Sequence, residues 1–120
     1  MGDFTKLQVW ILAKELAVNI YSLTASEKFS KDYDMRNQLR RAAVSVPSNI
    51  AEGEESGSNP QSIRFFNIAK GSLAELRTQC IIAFEIGYLN SDDYTCIHDK
   101  ALKISSMLHK LIQSRKTTKP

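Results

Sequence analysis

Apolar residues recur at intervals of three and four through four long stretches of this chain, and no stretch sustains the two-residue alternation of a strand. That period restricts the fold to amphipathic helices packed on one another. The first stretch, about residues 7–24, carries Val9, Leu12, Ala13, Leu16, Ile20 and Leu23 on one face. The second, about 34–53, carries Leu39, Ala42, Ala43, Val46 and Ile50, with Pro47 inside the pattern. Proline there removes a hydrogen bond to residue 43 and crowds its carbonyl, which predicts a kink or a break into two helices. The third, about 60–86, presents Phe65, Ala69, Leu73, Leu76, Cys80 and Ala83. The fourth, about 91–114, presents Tyr94, Ile97, Ala101, Ile104, Leu108 and Leu111.

Turn chemistry punctuates these stretches. Thr5 and Gln8 have capping-box spacing. Asn59 followed by Pro60 reads as a helix start, and Gly87 is placed to end the third helix in the left-handed conformation. Leu89 and Tyr94 can staple a start at Asn90 or Ser91. The longest connection, residues 25–33, holds Phe29 and Tyr33, expected to fold back onto the bundle end. Residues 115–120 read as a frayed basic tail. Short connections between amphipathic helices predict an all-α, up-down-up-down antiparallel four-helix bundle forming one domain over residues 1–120.

With 120 residues the chain has the length of one domain, and its 42% hydrophobic content supports a core without disulfides. The longest uncharged apolar run, residues 7–13, falls far short of the roughly 20 residues that span a bilayer, so no membrane association is expected. The opening residues lack a signal-peptide pattern, and Cys80 and Cys96 lack metal-binding spacing. Reduced thiols and a cytoplasmic location are the expectation. The net charge of +3 comes from Arg115, Lys116 and Lys119; residues 1–114 are formally neutral.

Helix one has a second stripe, Leu7, Ile11 and Val18, opposite the first. Two apolar faces on one helix suggest contact with another subunit, against the alternative of scattered surface residues. Helix two carries a polar row of Gln38, Arg41, Ser45, Ser48, Asn49 and Glu52; helix three carries Ser72, Glu75 and Gln79 among Ile68, Ile82 and Ile86. Polar residues bordered by isoleucines suggest a hydrogen-bonded network between helices or subunits, with Arg41 paired to Glu52 or Glu75. Glu52 and Glu75 as an acid–base pair would need a nucleophile or a partnered His, and none accompanies them. No enzyme, metal or cofactor is expected. Arg36, Arg40, Arg64, Lys70, Arg77, Arg115, Lys116 and Lys119 are candidate phosphate contacts, weak on one chain and strengthened by repetition around an oligomer.

Three segments are more specific than periodicity. The run from Gln38 through Arg40-Arg41-Ala42-Ala43-Val44-Ser45-Val46-Pro47-Ser48-Asn49-Ile50-Ala51-Glu52 to Gly53 is one. The run from Phe65-Phe66-Asn67 through Gly71-Ser72-Leu73-Ala74-Glu75-Leu76-Arg77 to Gln79, followed by Gly87-Tyr88-Leu89, is the second. Leu7-Gln8-Val9-Trp10 is the third. Together they resemble the bacterial four-helix-bundle family encoded in intervening sequences of large-subunit ribosomal RNA genes, over roughly residues 4–112. That family is similar in fold to the accessory variability determinant of diversity-generating retroelements. The resemblance implies a homopentameric ring and association with RNA, DNA or a reverse transcriptase. It supplies no catalytic residues, and it carries Arg41, Ser45, Asn49, Glu52, Ser72, Glu75 and Gln79 over as structural. Relatives often have a basic pair after the Ala-Glu-Gly, where this chain has Glu54-Glu55. That loop would suit a basic protein partner instead. The expectation is therefore a nucleic-acid-associated scaffold, with a protein–protein adaptor ring as the alternative.

Overall fold

Helices occupy nearly all of residues 3–117, the part of the chain that this computed structural model describes. A 3₁₀ turn, Phe4–Lys6, leads into α1 (Gln8–Leu23) and the one-turn α2 (Glu27–Ser30). The long helices α3 (Tyr33–Glu55), α4 (Asn59–Glu85) and α5 (Ser91–Thr117) follow, and no strand occurs among the described residues.

The helix ends follow local hydrogen bonding, and several differ from the sequence expectation. Thr5 does not cap α1: its amide and hydroxyl donate to Asp3 Oδ1 at 3.0 and 2.6 Å, which closes the 3₁₀ turn instead. Helix α1 therefore starts after Leu7 with no side-chain cap. Asp32 caps α3, accepting from the Met35 amide at 3.1 Å. Helix α3 then runs unbroken through Pro47 to Glu55. Val46 and Ile50, buried on either side of Pro47, anchor both halves to one core and oppose a break. Ser58, not Asn59, caps α4 by accepting from the Gln61 amide, so Pro60 is its second residue.

At the far end of α4, Gly87 has φ +86. The Tyr88 amide donates to Ala83 O at 2.8 Å and the Gly87 amide to Phe84 O at 3.0 Å, the paired bonds of a Schellman cap. Asn90 Oδ1 then accepts from the Asp93 amide at 2.7 Å and starts α5. Residues 115–117 do not fray as a tail. Helix α5 continues through them, because the Arg115 guanidinium bonds Glu54 at 2.7 Å and lies over the Phe66 ring at 5.4 Å. Lys119 lies outside the described residues.

The core runs along the bundle axis, with α3 packed on α4, α4 on α5, and α1 on both α3 and α5. As residue numbers rise on α3 they fall on α4: Gln38 meets Gln79, Arg41 meets Glu75, Ser45 meets Ser72. These neighbours therefore run in opposite directions. Leu16, Ile20, Leu39, Ile50, Leu73, Leu76, Ile104 and Leu108 are fully buried, each stabilising by roughly 1.5–3 kcal/mol relative to exposure. Phe66, rather than Phe65, is the core aromatic of α4; it stands seven residues, two turns, before Leu73 and shares its face. At the end of α5, Ile112 is buried where Leu111 was expected. Phe29 of α2 is fully buried and packs edge-on to Tyr88 at 5.1 Å, but Tyr33 stays exposed under the Arg36 guanidinium. The result is a rod with extents of 51 × 20 × 20 Å. Each long helix keeps an outward face, and those faces are where function can lie.

Candidate functional site

Helix α4 borders two surfaces of different chemistry. The first is its outer face with α3. Arg41 Nη2 donates to Glu75 Oε2 at 2.8 Å, and Ser45 and Ser72 share a hydroxyl hydrogen bond of 2.7 Å. Asn49 Nδ2 donates to Ser45 O and Oγ at 2.9 and 3.1 Å. Arg41 thus pairs with Glu75 and not with Glu52. That pairing removes Glu75 from an acid–base couple with Glu52. Gln79 is 7% exposed; its amide reaches Gln38 Oε1 at 3.4 Å, while its own Oε1 has no partner. Around this row Ile68, Ile82 and Ile86 are exposed by 40, 45 and 52%. Toward the α3–α4 turn the face opens into a groove of about 590 Å³ that includes Ser48, Glu52, Glu55, Gln61 and Phe65.

The second surface is the flank where α4 meets α5. Lys70, Arg77 and Phe84 are spaced by seven, so they share one side of α4. Phe84 fixes which side, because its ring stacks on Tyr94 of α5 at 4.6 Å. Tyr94 in turn stacks on His98 at 5.7 Å. His98, His109 and Lys116 are eleven and seven residues apart, which returns each to the same side of α5. Arg77 Nε is buried without a partner, and no carboxylate pairs with Lys70 or Arg77 among the described residues.

The remaining candidate cations are elsewhere. Arg40 serves the end of α1: its Nε donates to Thr24 Oγ1 at 2.8 Å, its Nη2 to Tyr21 O at 3.4 Å, and its guanidinium covers the Tyr21 ring. Arg36 lies over Tyr33 on the same α1-facing flank. Arg64 lies over Phe65, and Arg115 is held by Glu54. The sequence-derived cations therefore do not form one patch on a single chain. Leu7, Ile11 and Val18 differ in exposure along the side of α1 that they share, and Leu7 is its N-cap, its carbonyl accepting from the Ile11 amide at 3.0 Å. Leu7 precedes the helix and packs on the core beside Val9, Met107 and Leu111, whereas Ile11 is half-buried and Val18 is fully outward.

Helical period alone does not show the ladder of Phe84, Tyr94 and His98, and places only Tyr94, in the core stripe. The signal was present: Phe84 and Tyr94 stand nearly equidistant from the Gly87–Asn90 turn, and an antiparallel hairpin brings such positions together. Among the described residues no group of three His, Cys, Asp or Glu comes together to hold a metal. None of the helices is long and apolar enough to cross a membrane.

A solved structure from Bacteroides thetaiotaomicron, described as a protein with unknown function from the S23 ribosomal protein family, superposes with a TM-score of 0.80. It is 26% identical, and the match covers 87% of this chain and 97% of that one. No curated protein matches the chain. The family model described as 23S rRNA-intervening sequence protein matches residues 5–110, nearly the whole helical rod, and the chain belongs to that family.

Proposed function

We propose that this chain is a non-enzymatic scaffold that assembles with itself and associates with nucleic acid, RNA or DNA, or with an enzyme that works on it. The observation that carries this reading is the α4–α5 flank, where Lys70 and Arg77 stand without carboxylate partners while Arg41 and Arg115 are neutralised. Cations with no internal partner are available to phosphates. The resemblance supports a homopentameric ring as the assembly. The exposed isoleucines beside the α3–α4 polar row offer a surface for it. Repetition around a ring would multiply a weak contact through effective concentration.

The adaptor reading rested on an acidic loop at Glu54 and Glu55. Both residues in fact lie in the last turn of α3, where Glu54 is engaged by Arg115 and Glu55 is exposed. The geometry therefore favours nucleic acid over a basic protein partner. Native mass spectrometry with and without nuclease, followed by binding of labelled RNA and DNA across a salt series, tests the reading. A pentamer whose affinity falls steeply with salt is expected, since phosphate contacts release counterions. A monomer, or a protein that binds no nucleic acid at low salt, would overturn it.

A further inference from the structure

Resting on that reading, we infer that the α4–α5 flank is a site for single-stranded nucleic acid, with a base stacked at the His98 end of the aromatic ladder and the backbone crossing Arg77 and Lys70. Three observations meet here. The first is the ladder itself: Phe84 on Tyr94 at 4.6 Å and 16°, Tyr94 on His98 at 5.7 Å and 27°. Tyr94 is the shared member of the two stacks, so Phe84, 37% exposed, and His98, half-buried, are the ladder's ends. Beyond His98, one turn along α5, stands the exposed Leu102, an apolar edge for a base.

The second is charge. Arg77 and Lys70 continue the line from the ladder on α4, two turns and so about 10 Å apart. His109 and Lys116 continue it on α5, and the intervening residues of that side, Leu102 and Ser105, are neutral. The third is the Arg77 Nε, buried and without a partner. The half-exposed remainder of the guanidinium, rather than this enclosed Nε, is the part that a phosphate would meet.

Stacking platforms joined to a cationic track take single strands, whose bases are free to turn onto a ring. A duplex keeps its bases paired and stacked inside and would meet only the cations. The flank lies along a hairpin of two helices.

The test uses the full chain with fluorescein-labelled oligouridylate, and a duplex of the same length, followed by anisotropy over a salt series. The variants are K70Q/R77Q, H98A, and K103Q as a control on the opposite side of α5. The single strand is expected to bind at least about tenfold more tightly than the duplex. K70Q/R77Q should weaken single-strand binding and flatten the salt slope by about 1.4. H98A should weaken it by about fivefold or more at unchanged slope, the signature of a lost stack rather than a lost charge. K103Q should bind as the parent does, and circular dichroism should show each variant as helical as the parent. If nucleic acid binds but neither flank variant differs from K103Q, the site is overturned while the scaffold reading stands. A preference for duplex also overturns the site alone. If nothing binds at low salt, both fall together.

Discussion

The Arg115 guanidinium closes on the Glu54 carboxylate at 2.7 Å, tying the last turns of α5 to the last turn of α3 across 61 residues of sequence. The two side chains are only 23 and 11% exposed, so this pair is less screened than a surface ion pair. It also bears on function, since it neutralises one cation at the end of α5 and one anion at the end of α3.

Removing one partner leaves the other charge poorly solvated, so R115Q and E54Q should each destabilise the protein by about 1–2 kcal/mol. The double variant should cost less than the sum. Urea unfolding of the four proteins of a double-mutant cycle measures the coupling. A coupling near zero would show that the pair contributes nothing to holding α5 in place.

Gly53 and Gly71 make opposite predictions from the same substitution. A Cβ at Gly53 would lie 2.5 and 2.7 Å from Phe66 Cε1 and Cδ1, and that ring is fully buried. G53A should therefore destabilise by about 1–3 kcal/mol through overpacking. At Gly71, in the interior of α4, a Cβ meets nothing within 4 Å. G71A should stabilise by about 0.5–1 kcal/mol, because alanine loses less backbone freedom in a helix. Denaturant midpoints with unchanged slopes would separate the two signs.

Much of this was legible in the sequence because it depends on period and caps. The apolar stripes located all four long helices, and Gly87 and Asn90 marked the turn between the last two. The errors came where contacts distant in sequence decide. Arg115 reads as tail in the sequence but pairs with Glu54, and the contact of Arg40 with Thr24 has no signal in the local pattern. Phe65 and Phe66 are adjacent and equally apolar; only the azimuth of α4 relative to Leu73 selects the buried one. Local competition decided the start of α1, where Asp3 takes the Thr5 hydroxyl. The cation set was readable as composition, but its division between two flanks was not, because helix order around the bundle fixes it.

Tyr88 should make stability depend on alkaline pH. Its hydroxyl donates to Asp32 Oδ2 at 2.9 Å, and this bond first, then desolvation and the nearby carboxylate charge, raises its pKa above the ordinary 10.0. The folded state thus favours protonated Tyr88. Its contribution is full below the unfolded-state value and is lost as pH rises through the higher folded-state value. Thermal midpoints should therefore fall above about pH 10 more steeply for the parent than for Y88F. Equal slopes would mean that the Asp32 contact carries no proton linkage.

The two thiols should differ in reactivity. Burial pushes Cys80 up to about 12, whereas Cys96 is exposed. The thiolate is the reactive form, so a thiol reagent at neutral pH should modify Cys96 alone in the folded protein and Cys80 only on unfolding. Intact-mass analysis counts the adducts. Rapid double modification without denaturant would mean that the α4 core opens readily around Cys80.

Arg40 separates stability from binding. Thr24 donates to Ile20 O at 2.6 Å and accepts from Arg40 Nε at 2.8 Å, so the arginine completes the C-terminal cap of α1. Its positive charge also complements that helix end. R40A should destabilise by about 1–2 kcal/mol, and R40K should recover little of it, because an ammonium cannot place an Nε and a fork together. If Arg40 instead served mainly as a phosphate contact, R40K would preserve nucleic-acid affinity and R40A would flatten the salt slope by about one. Unfolding and salt-dependent binding measured on the same two variants distinguish these outcomes. A loss of stability with an unaltered slope is the result that the Thr24 geometry requires.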